Sequence, residues 1–600
     1  MSIIEADSPI PRDPAALAPD EPSSAPNGRR WRGDVAAVAC YLAAGLYVTA
    51  KLWLSPQRYT LAGPGGVDLY VFESFMAHGA RVVTHLQNPF FTDRLNAPDG
   101  VNMMANTSML GLSIPMTPIT LLFGPHFTVL AATVFCLAAT ASAWYYVLSR
   151  HLVTNRFAAF VAGALCGFAP GIISQATGHV NFTAQFLVPF IGWRVIRLGD
   201  PGRAVRNGLA LGALVIWQAF LNEEYLFYTA IGCAIFVGIW ALARPREAVA
   251  RVRTFAAGLA VAAGLAGLAL AYPLYVQFKG PQSYVGLPFD PARFYADAYS
   301  FVLFSSESLA GSRHIAAQYA RNTSEENTFF GWPLVILAAV LMVWLWRSVI
   351  ARAATAVALV FASIALGKQV VVAKHPTGIF GPYQHLARYP VFELSMPSRY
   401  ALMVVPMLAI LLALAGDRVA AMGVRWRAGW YAVLVAALLP IAPTPLAVIS
   451  APAVPHFITG GAWHGYVEDG RSLVGVPIVS GAPWNIATLR WSSVTNMDFV
   501  TPGGYFIGPR GNDDRQARFN APPRLTGALL DKVARYGVVP QIGDSERRAA
   551  MQDLRFWNAS VVVLGQHKYE DALHETLDEL LGPGQRVDDV WLWDVRSAIR

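Results

Sequence analysis

The feature that most constrains this chain is a succession of long apolar runs joined by short connections rich in arginine. A bilayer span needs about 20 mostly apolar residues. Eleven runs approach that length: 35–54, 126–148, 156–173, 181–198, 207–222, 225–243, 253–276, 331–348, 351–367, 400–417 and 428–449. A further run, 109–123, is short and carries Pro115 and Pro118; it is read as a half-span because a full crossing would turn most of the arginine-rich connections outward, against the orienting rule. Composition agrees with immersion in lipid. Charged residues are 14% and hydrophobic residues 54% of the chain, whereas soluble proteins carry about 25% charge. General disorder, a fibrous repeat and a disulfide-stapled module are all excluded. The four cysteines, Cys40, Cys136, Cys166 and Cys233, fall inside apolar runs without metal-ligand spacing and read as small hydrophobes.

Charge sets the expected orientation, because Lys and Arg in short loops stay on the cytoplasmic side. With 109–123 not crossing, one set of connections holds 18 arginines (from Arg29, Arg30 and Arg32 through to Arg418, Arg425 and Arg427) against four acids. The connections of the other set hold 11 basic and 12 acidic residues. The N-terminus is therefore expected in the cytoplasm and the C-terminus outside, in the plasma (inner) membrane. The net charge of +8 is accounted for by attraction to the anionic inner leaflet, with no nucleic-acid partner needed.

The organisation expected from this is mainly α: a polytopic transmembrane bundle of about 11 spans plus one half-span, with a C-terminal extracytoplasmic α/β domain. Residues 1–32 are expected to be a disordered cytoplasmic tail, lacking the apolar core of a signal peptide. Residues 33–450 form the membrane domain, with outer loops at 55–125, 277–330 and 368–399. Residues 451–600 form the soluble domain, which holds 32 of the 84 charged residues. There a helix is expected over 545–556, a buried strand at 560–565, a helix over about 568–581 and a strand at 590–593. All the long connections lie on one side. A protein with one elaborate face is built to work at that face.

The first outer loop is the most informative stretch. After the turn-forming run Gly63 to Gly66, apolar residues at helical spacing suggest a helix lying on the membrane surface, with Asp68 near its start and Glu73 one turn on. A first-turn acid favoured by the helix dipole is the plain account of Asp68; a general base at the membrane–water boundary is the sharper one. Asn96, Asn102 and Asn106 lead into the proline-broken 109–123 segment, which suggests a wet cavity, since irregular backbone at membrane depth needs protein or water around it. His179 sits between two runs, and Glu223 and Glu224 occupy a tight outer hairpin, where two adjacent acids must be solvated or paired. Outer cations run against the orienting rule. Lys368, Arg388 and above all Arg399, at the mouth of a run, are candidates for phosphate, which guanidinium binds bidentately. Snorkelling or a bridge to Glu393 is the plainer account of Arg399. No Walker loop, nucleophile elbow, HExxH or dinucleotide fingerprint occurs in a suitable context.

Taken together, the early acid Asp68, the stretch Leu95-Asn-Ala-Pro-Asp-Gly-Val-Asn-Met-Met-Ala-Asn106 before a proline-containing half-span, Pro397-Ser-Arg399-Tyr at a span start and the outer soluble domain resemble the GT-C superfamily of membrane glycosyltransferases. The resemblance covers most of residues 33–450. It implies an inverting transferase that moves a sugar from a polyprenyl-phosphate donor to a cell-envelope glycan, lipid or protein. It casts Asp68 as base. Glu223 or Glu224, with Glu73 and His179 as further candidates, would orient the acceptor or hold a divalent cation (Mg or Mn), and Arg399 with Arg388 or Lys368 would hold the leaving phosphate. One departure is that Asp68 has only Glu73 nearby, where some members carry adjacent acids, so metal dependence and the choice of base stay open. Two other readings of the same residues stand beside it: a transporter or flippase of lipid-linked glycans, and a non-catalytic scaffold for envelope assembly.

Overall fold

The computed structural model describes residues 27–56, 58–63, 65–478, 486–511 and 513–599. The molecule is mainly helical. Five helices are long and apolar enough to cross a membrane: Pro125–His151, Arg156–Gln175, Glu223–Ala243, Pro245–Lys279 and Pro397–Ala420. Trp332–Trp344 and Val349–Ala365 are shorter apolar helices. Of the eleven runs, those at 126–148, 156–173, 225–243, 253–276 and 400–417 fall in these five helices. Run 181–198 is instead divided into Val180–Thr183 and Val188–Arg197, with Gln185 between them bonding back through its Nε2 to the Phe182 carbonyl. Of residues 1–32, the first 26 lie outside the described residues. From Asn27 the chain is already helical, in Asn27–Val48.

The 109–123 segment forms two short helices, Leu110–Ser113 and Thr117–Phe123. Seven residues rise about 10 Å, roughly a third of a bilayer's hydrocarbon core, so neither piece can span it. The backbone groups freed at the break are satisfied by the neighbouring Ala204–Ala219 helix: Trp217 Nε1 donates to the Gly111 carbonyl at 2.9 Å, and the Gly111 amide donates to the Phe220 carbonyl at 3.0 Å. Packing against Gly65–His85 is close. A Cβ at Gly79 would stand 2.7 Å from Ser113, so only glycine fits there.

Gly65–His85 does not lie on a surface, as its apolar spacing suggested. It is enclosed, with Leu69, Phe72, Glu73, Met76, Ala77, His78, Ala80 and Arg81 all buried. Pro125–His151 packs on one side and the tail helix Ala487–Val494 on another. Three of its buried polar residues have partners: His126 for Glu73, the Pro89 carbonyl for His78, and Gln87 with Asp498 for Arg81. The asparagines of the first loop are likewise structural. Asn102 Nδ2 donates to the carbonyls of Val276 and Pro281, and Asn106 exchanges two hydrogen bonds with the backbone of Ile507. They join the loop to a spanning helix and to the tail, where the sequence had suggested that they line a wet cavity.

The tail carries a four-stranded sheet in the order Gln585–Val587, Val590–Asp594, Ala559–Leu564, Ser472–Val476; the last two strands pair in parallel and the others antiparallel. Alternation along Ala559–Leu564 explains its two-sided burial. Val562 and Leu564 join one core with Leu530, Leu554 and Leu577, while Val561 and Val563 join another with Phe457, Trp463 and Trp491. The helices expected near 545–556 and 568–581 run Asp544–Phe556 and Glu570–Leu581. Ile486, Leu489 and Met497 belong to the main bundle's core, so the tail is packed into the bundle as well as following it.

The two sets of connections separate in space. At one end, Asp34 takes Arg150, Arg156 and Tyr145, Asp417 accepts the amides of Thr154 and Asn155, and Arg418 reaches the Trp344 carbonyl. At the other, the three long loops and the tail bind one another. Tyr59–Leu61 pairs with Val448–Ser450, Asp297 holds the amides of Ala373 and Lys374, Ser398 donates to Phe294, and Arg515 reaches Ser283.

Candidate active site

Asp68 lies in the first turn of Gly65–His85, where three helical amides without intrahelical partners favour an acid. Its carboxylate turns to a neighbouring element. Asp68 Oδ2 stands 3.3 Å from His179 Nε2, and the Asp68 side chain is 31% exposed, so the pair is open to a ligand. His179 occupies a non-helical break (φ −112°, ψ 70°) between Pro170–Gln175 and Val180–Thr183. That break frees the ring to reach Gln175, whose Oε1 stands 3.0 Å from Nδ1.

The hydrogen bonds beyond Gln175 fix the chemistry of the ring. Gln175 Nε2 donates to the Ser324 carbonyl at 2.9 Å and to Asn327 Oδ1 at 2.7 Å. A carbonyl can only accept, so the other end of the Gln175 amide is oxygen, and His179 Nδ1 must carry a proton to bond it. Both ring nitrogens of His179 therefore face oxygen acceptors.

From Asn327 the chain of contacts runs on. Asn327 Nδ2 donates to Glu325 Oε2 at 2.9 Å, and Ser398 Oγ donates to the same oxygen at 3.2 Å. Arg399 Nε and Nη2 both bond Glu325 Oε1, and Arg399 Nη1 bonds Glu224 Oε2 at 3.1 Å. Tyr228, one turn along the helix from Glu224, donates to Glu224 Oε1 at 2.5 Å. The guanidinium also lies over the Phe182 ring at 4.5 Å. Asp68, His179, Glu224 and Arg399 thus belong to one continuous polar chain that also contains Gln175, Asn327 and Glu325. Tyr505, from the tail, stands near enough for the Asp68 charge to act on it: burial first, and then that charge, push its phenol up.

The other predicted residues fall elsewhere. Glu223 points away from Glu224, since successive helical residues diverge by about 100°; it accepts from Gln277 Nε2 at 2.8 Å, beside residues 104–110. Glu73 lies five residues beyond Asp68, about 140° around the helix. It is fully buried against His126 Nδ1 at 2.5 Å, so it does not join Asp68. Lys368 and Arg388 are exposed, and no described hydrogen bond or ion pair ties either to the polar chain. Arg399 is not an open cation, nor is Glu393 its partner. Three of its five N–H groups go to two carboxylates, leaving the trio with Glu224 and Glu325 net negative. Among the described residues no three His, Cys, Asp or Glu side chains converge on a point that could hold a metal. Glu224 and Glu223 are engaged as above, and Asp68 with His179 supplies only two donors, too few to hold a divalent cation by themselves.

Sequence reasoning missed Gln175 and Tyr228. A glutamine at the end of an apolar run is a signal in itself, and Glu224 with Tyr228 has the i, i+4 spacing that brings helix residues together.

Glu326, next to Glu325, is buried and accepts from the Ser306 amide and hydroxyl at 2.6 and 2.5 Å. Burial pushes its carboxyl up to about 7, against the downward pull of Ser306. A folded pKa raised above the unfolded value means that stability falls as pH climbs from about 4.5 to about 7, by roughly 3 kcal/mol in all. Glu326→Gln keeps the shape, and is expected to be the more stable protein at pH 8 and to match wild type near pH 4.5. Chemical denaturation at the two pH values measures this; equal stabilities at pH 8 would contradict it.

No protein-family model matches the chain, and no curated protein matches it. Among solved structures it is similar to the archaeal oligosaccharyltransferase AglB from Archaeoglobus fulgidus in complex with an inhibitory peptide and a dolichol-phosphate, at 13% identity and TM-score 0.46, covering 90% of this chain and 70% of that one. It is also similar to the Archaeoglobus fulgidus oligosaccharyltransferase in the apo form, at 12% identity and TM-score 0.48 over 88% and 69% of the two chains. A third, the same enzyme with Zn and sulfate, stands at 13% identity and TM-score 0.43 over 88% and 68%.

Proposed function

We propose that this chain is a membrane glycosyltransferase that moves a sugar from a polyprenyl-phosphate donor to a hydroxyl of an extracytoplasmic glycan, lipid or protein. The observation that carries the reading is the partly exposed Asp68–His179 pair, held by a buried polar chain at the end of the bundle where the long loops and the tail meet. A carboxylate fixed by a histidine, itself oriented by a third group, has the arrangement of a proton acceptor set for one task. In the proposed step Asp68 takes the proton as the acceptor O–H bond breaks. The acceptor oxygen bonds the anomeric carbon, and the bond from that carbon to the lipid phosphate breaks with its electron pair going to the phosphate. One displacement on opposite faces inverts the anomeric centre.

Arg399 in this scheme is a positioning residue. It holds Glu224 and Glu325, and through Asn327 and Gln175 it fixes the ring that faces Asp68. The separation of the two loop sets supports a cytoplasmic arginine-rich end, an outer working end and an extracytoplasmic 451–600 domain; the broken 109–123 segment supports a half-span on the outer side.

The test is purified protein in liposomes with a labelled pool of polyprenyl-phosphate sugars and envelope acceptors. Labelled glycan on an acceptor is the expected result. Lipid movement across the bilayer without transfer would make the chain a carrier, and neither transfer nor movement would leave a scaffold.

A further inference from the structure

We propose that the 366–396 segment docks on anionic phospholipid headgroups of the bilayer, with an exposed apolar edge seated at the lipid boundary. It does not depend on the glycosyl-transfer reading. The segment folds as a hairpin of Gln369–Val372 and His375–Phe380, followed by a short helix, Tyr383–Leu386. Its turn residues, Ala373 and Lys374, both have φ in the left-handed region (49° and 69°), which non-glycine residues hold only when the surroundings impose it. Here the buried Asp297 does so, accepting the Ala373 amide at 2.9 Å and the Lys374 amide at 2.7 Å. The turn is thereby anchored on the protein through its backbone, while the whole of His375–Phe380 is exposed, up to the open end.

That open end adjoins apolar helices. Gln369, four residues beyond the Val349–Ala365 helix, pairs with Phe380. Ile379 and Phe380 are 63% and 68% exposed. Further along, Phe392 packs edge-on against Phe227 of the spanning helix Glu223–Ala243 at 4.9 Å, which brings the exposed Tyr389 and Val391 to the same level. Left in water, these side chains would form an uncovered apolar edge continuous with helices that cross the bilayer.

The charges match the same partner. Between residues 366 and 396 stand Lys368, Lys374 and Arg388 against a single acid, Glu393. Lys374 bonds Gln318. Lys368 and Arg388 are exposed, and neither side chain has a hydrogen-bond or ion-pair partner among the described residues. Anionic headgroups on the outer face would attract Lys368 and Arg388 as those of the inner leaflet attract the arginine-rich connections, by about 1 kcal/mol per basic residue near the surface, and an apolar edge flanked by cations is the composition of an interfacial anchor.

The test uses the full chain with Cys40 and Cys233 replaced by alanine, Ile379→Cys carrying an environment-sensitive dye, and reconstitution into nanodiscs. In discs containing phosphatidylglycerol the emission is expected to shift to the blue and to be quenched by lipids spin-labelled near the headgroup. Both effects should weaken in pure phosphatidylcholine and with Lys368→Glu/Arg388→Glu. The double Lys368→Gln/Arg388→Gln variant gives the same comparison should the charge reversal fail to fold. Emission typical of water in phosphatidylglycerol discs overturns the proposal. So does a shift that appears only when trace polyprenyl phosphate is added, which would make the segment a donor site.

Discussion

Asp68→Asn is expected to lower sugar transfer at least about 100-fold, the usual cost of removing a positioned proton acceptor, while leaving the protein folded. The substitution keeps size and shape, and the asparagine amide can face His179 Nε2 with either its oxygen or its nitrogen, so the geometry around the break at His179 should persist. The stability cost should be within about 1 kcal/mol, because the Asp68–His179 contact is long, at 3.3 Å, with Asp68 31% exposed, and ion pairs open to solvent contribute little. Activity and stability are therefore expected to separate, and that separation identifies a chemical role. Initial rates with a labelled polyprenyl-phosphate sugar, set beside melting curves of both proteins in the same detergent, measure it. Equal rates would remove Asp68 from the chemistry and leave it a first-turn acid. A loss of both would make it structural.

How far the fold and site could be read from sequence depends on the range of the forces involved. Apolar runs and the arginine bias are local properties, so the membrane character and the two-ended arrangement of loops are legible in composition alone. The place of Asp68 in the first turn of a helix also follows from neighbours in sequence, as does the break of 109–123 into two short helices, through Pro115 and Pro118. What could not be read is which face each helix buries. Glu73 looked like a companion of Asp68, yet a 140° turn of the helix sends it to His126, 53 residues away in sequence. Glu223 and Glu224 are adjacent in the chain and serve different neighbours for the same reason. Asn102 and Asn106 looked like cavity lining because polar residues at membrane depth need partners; their partners are backbone groups 174 and 401 residues further along. The partners of Arg399 are 74 and 175 residues away, so the sequence displayed the cation without the acids that neutralise it.

Arg399→Ala is expected to destabilise the protein by about 3 kcal/mol or more, since removing one member of a buried ion pair leaves an uncompensated charge. Two carboxylates lose their partner at once. Glu325 is buried, and its Oε1 bonds only Arg399 among the described residues; Glu224 keeps Tyr228 and some solvent. Arg399→Lys preserves the charge but cannot supply the fork that spans both acids, so it should recover only part of the loss. The decisive variant is the double change Arg399→Met/Glu325→Gln. Removing both charges while keeping the volume is often neutral where removing one is not, so the pair should be markedly more stable than Arg399→Ala alone. A guanidinium whose task was to grip a lipid phosphate would behave in the opposite way. Its loss would abolish transfer with little effect on the empty protein, and Glu325→Gln would rescue nothing. Denaturation in micelles without lipid substrate, combined as a double-mutant cycle over Arg399 and Glu325, gives the coupling directly. A coupling energy near zero would break the link from Arg399 through Glu325, Asn327 and Gln175 to the ring beside Asp68, and the positioning role with it.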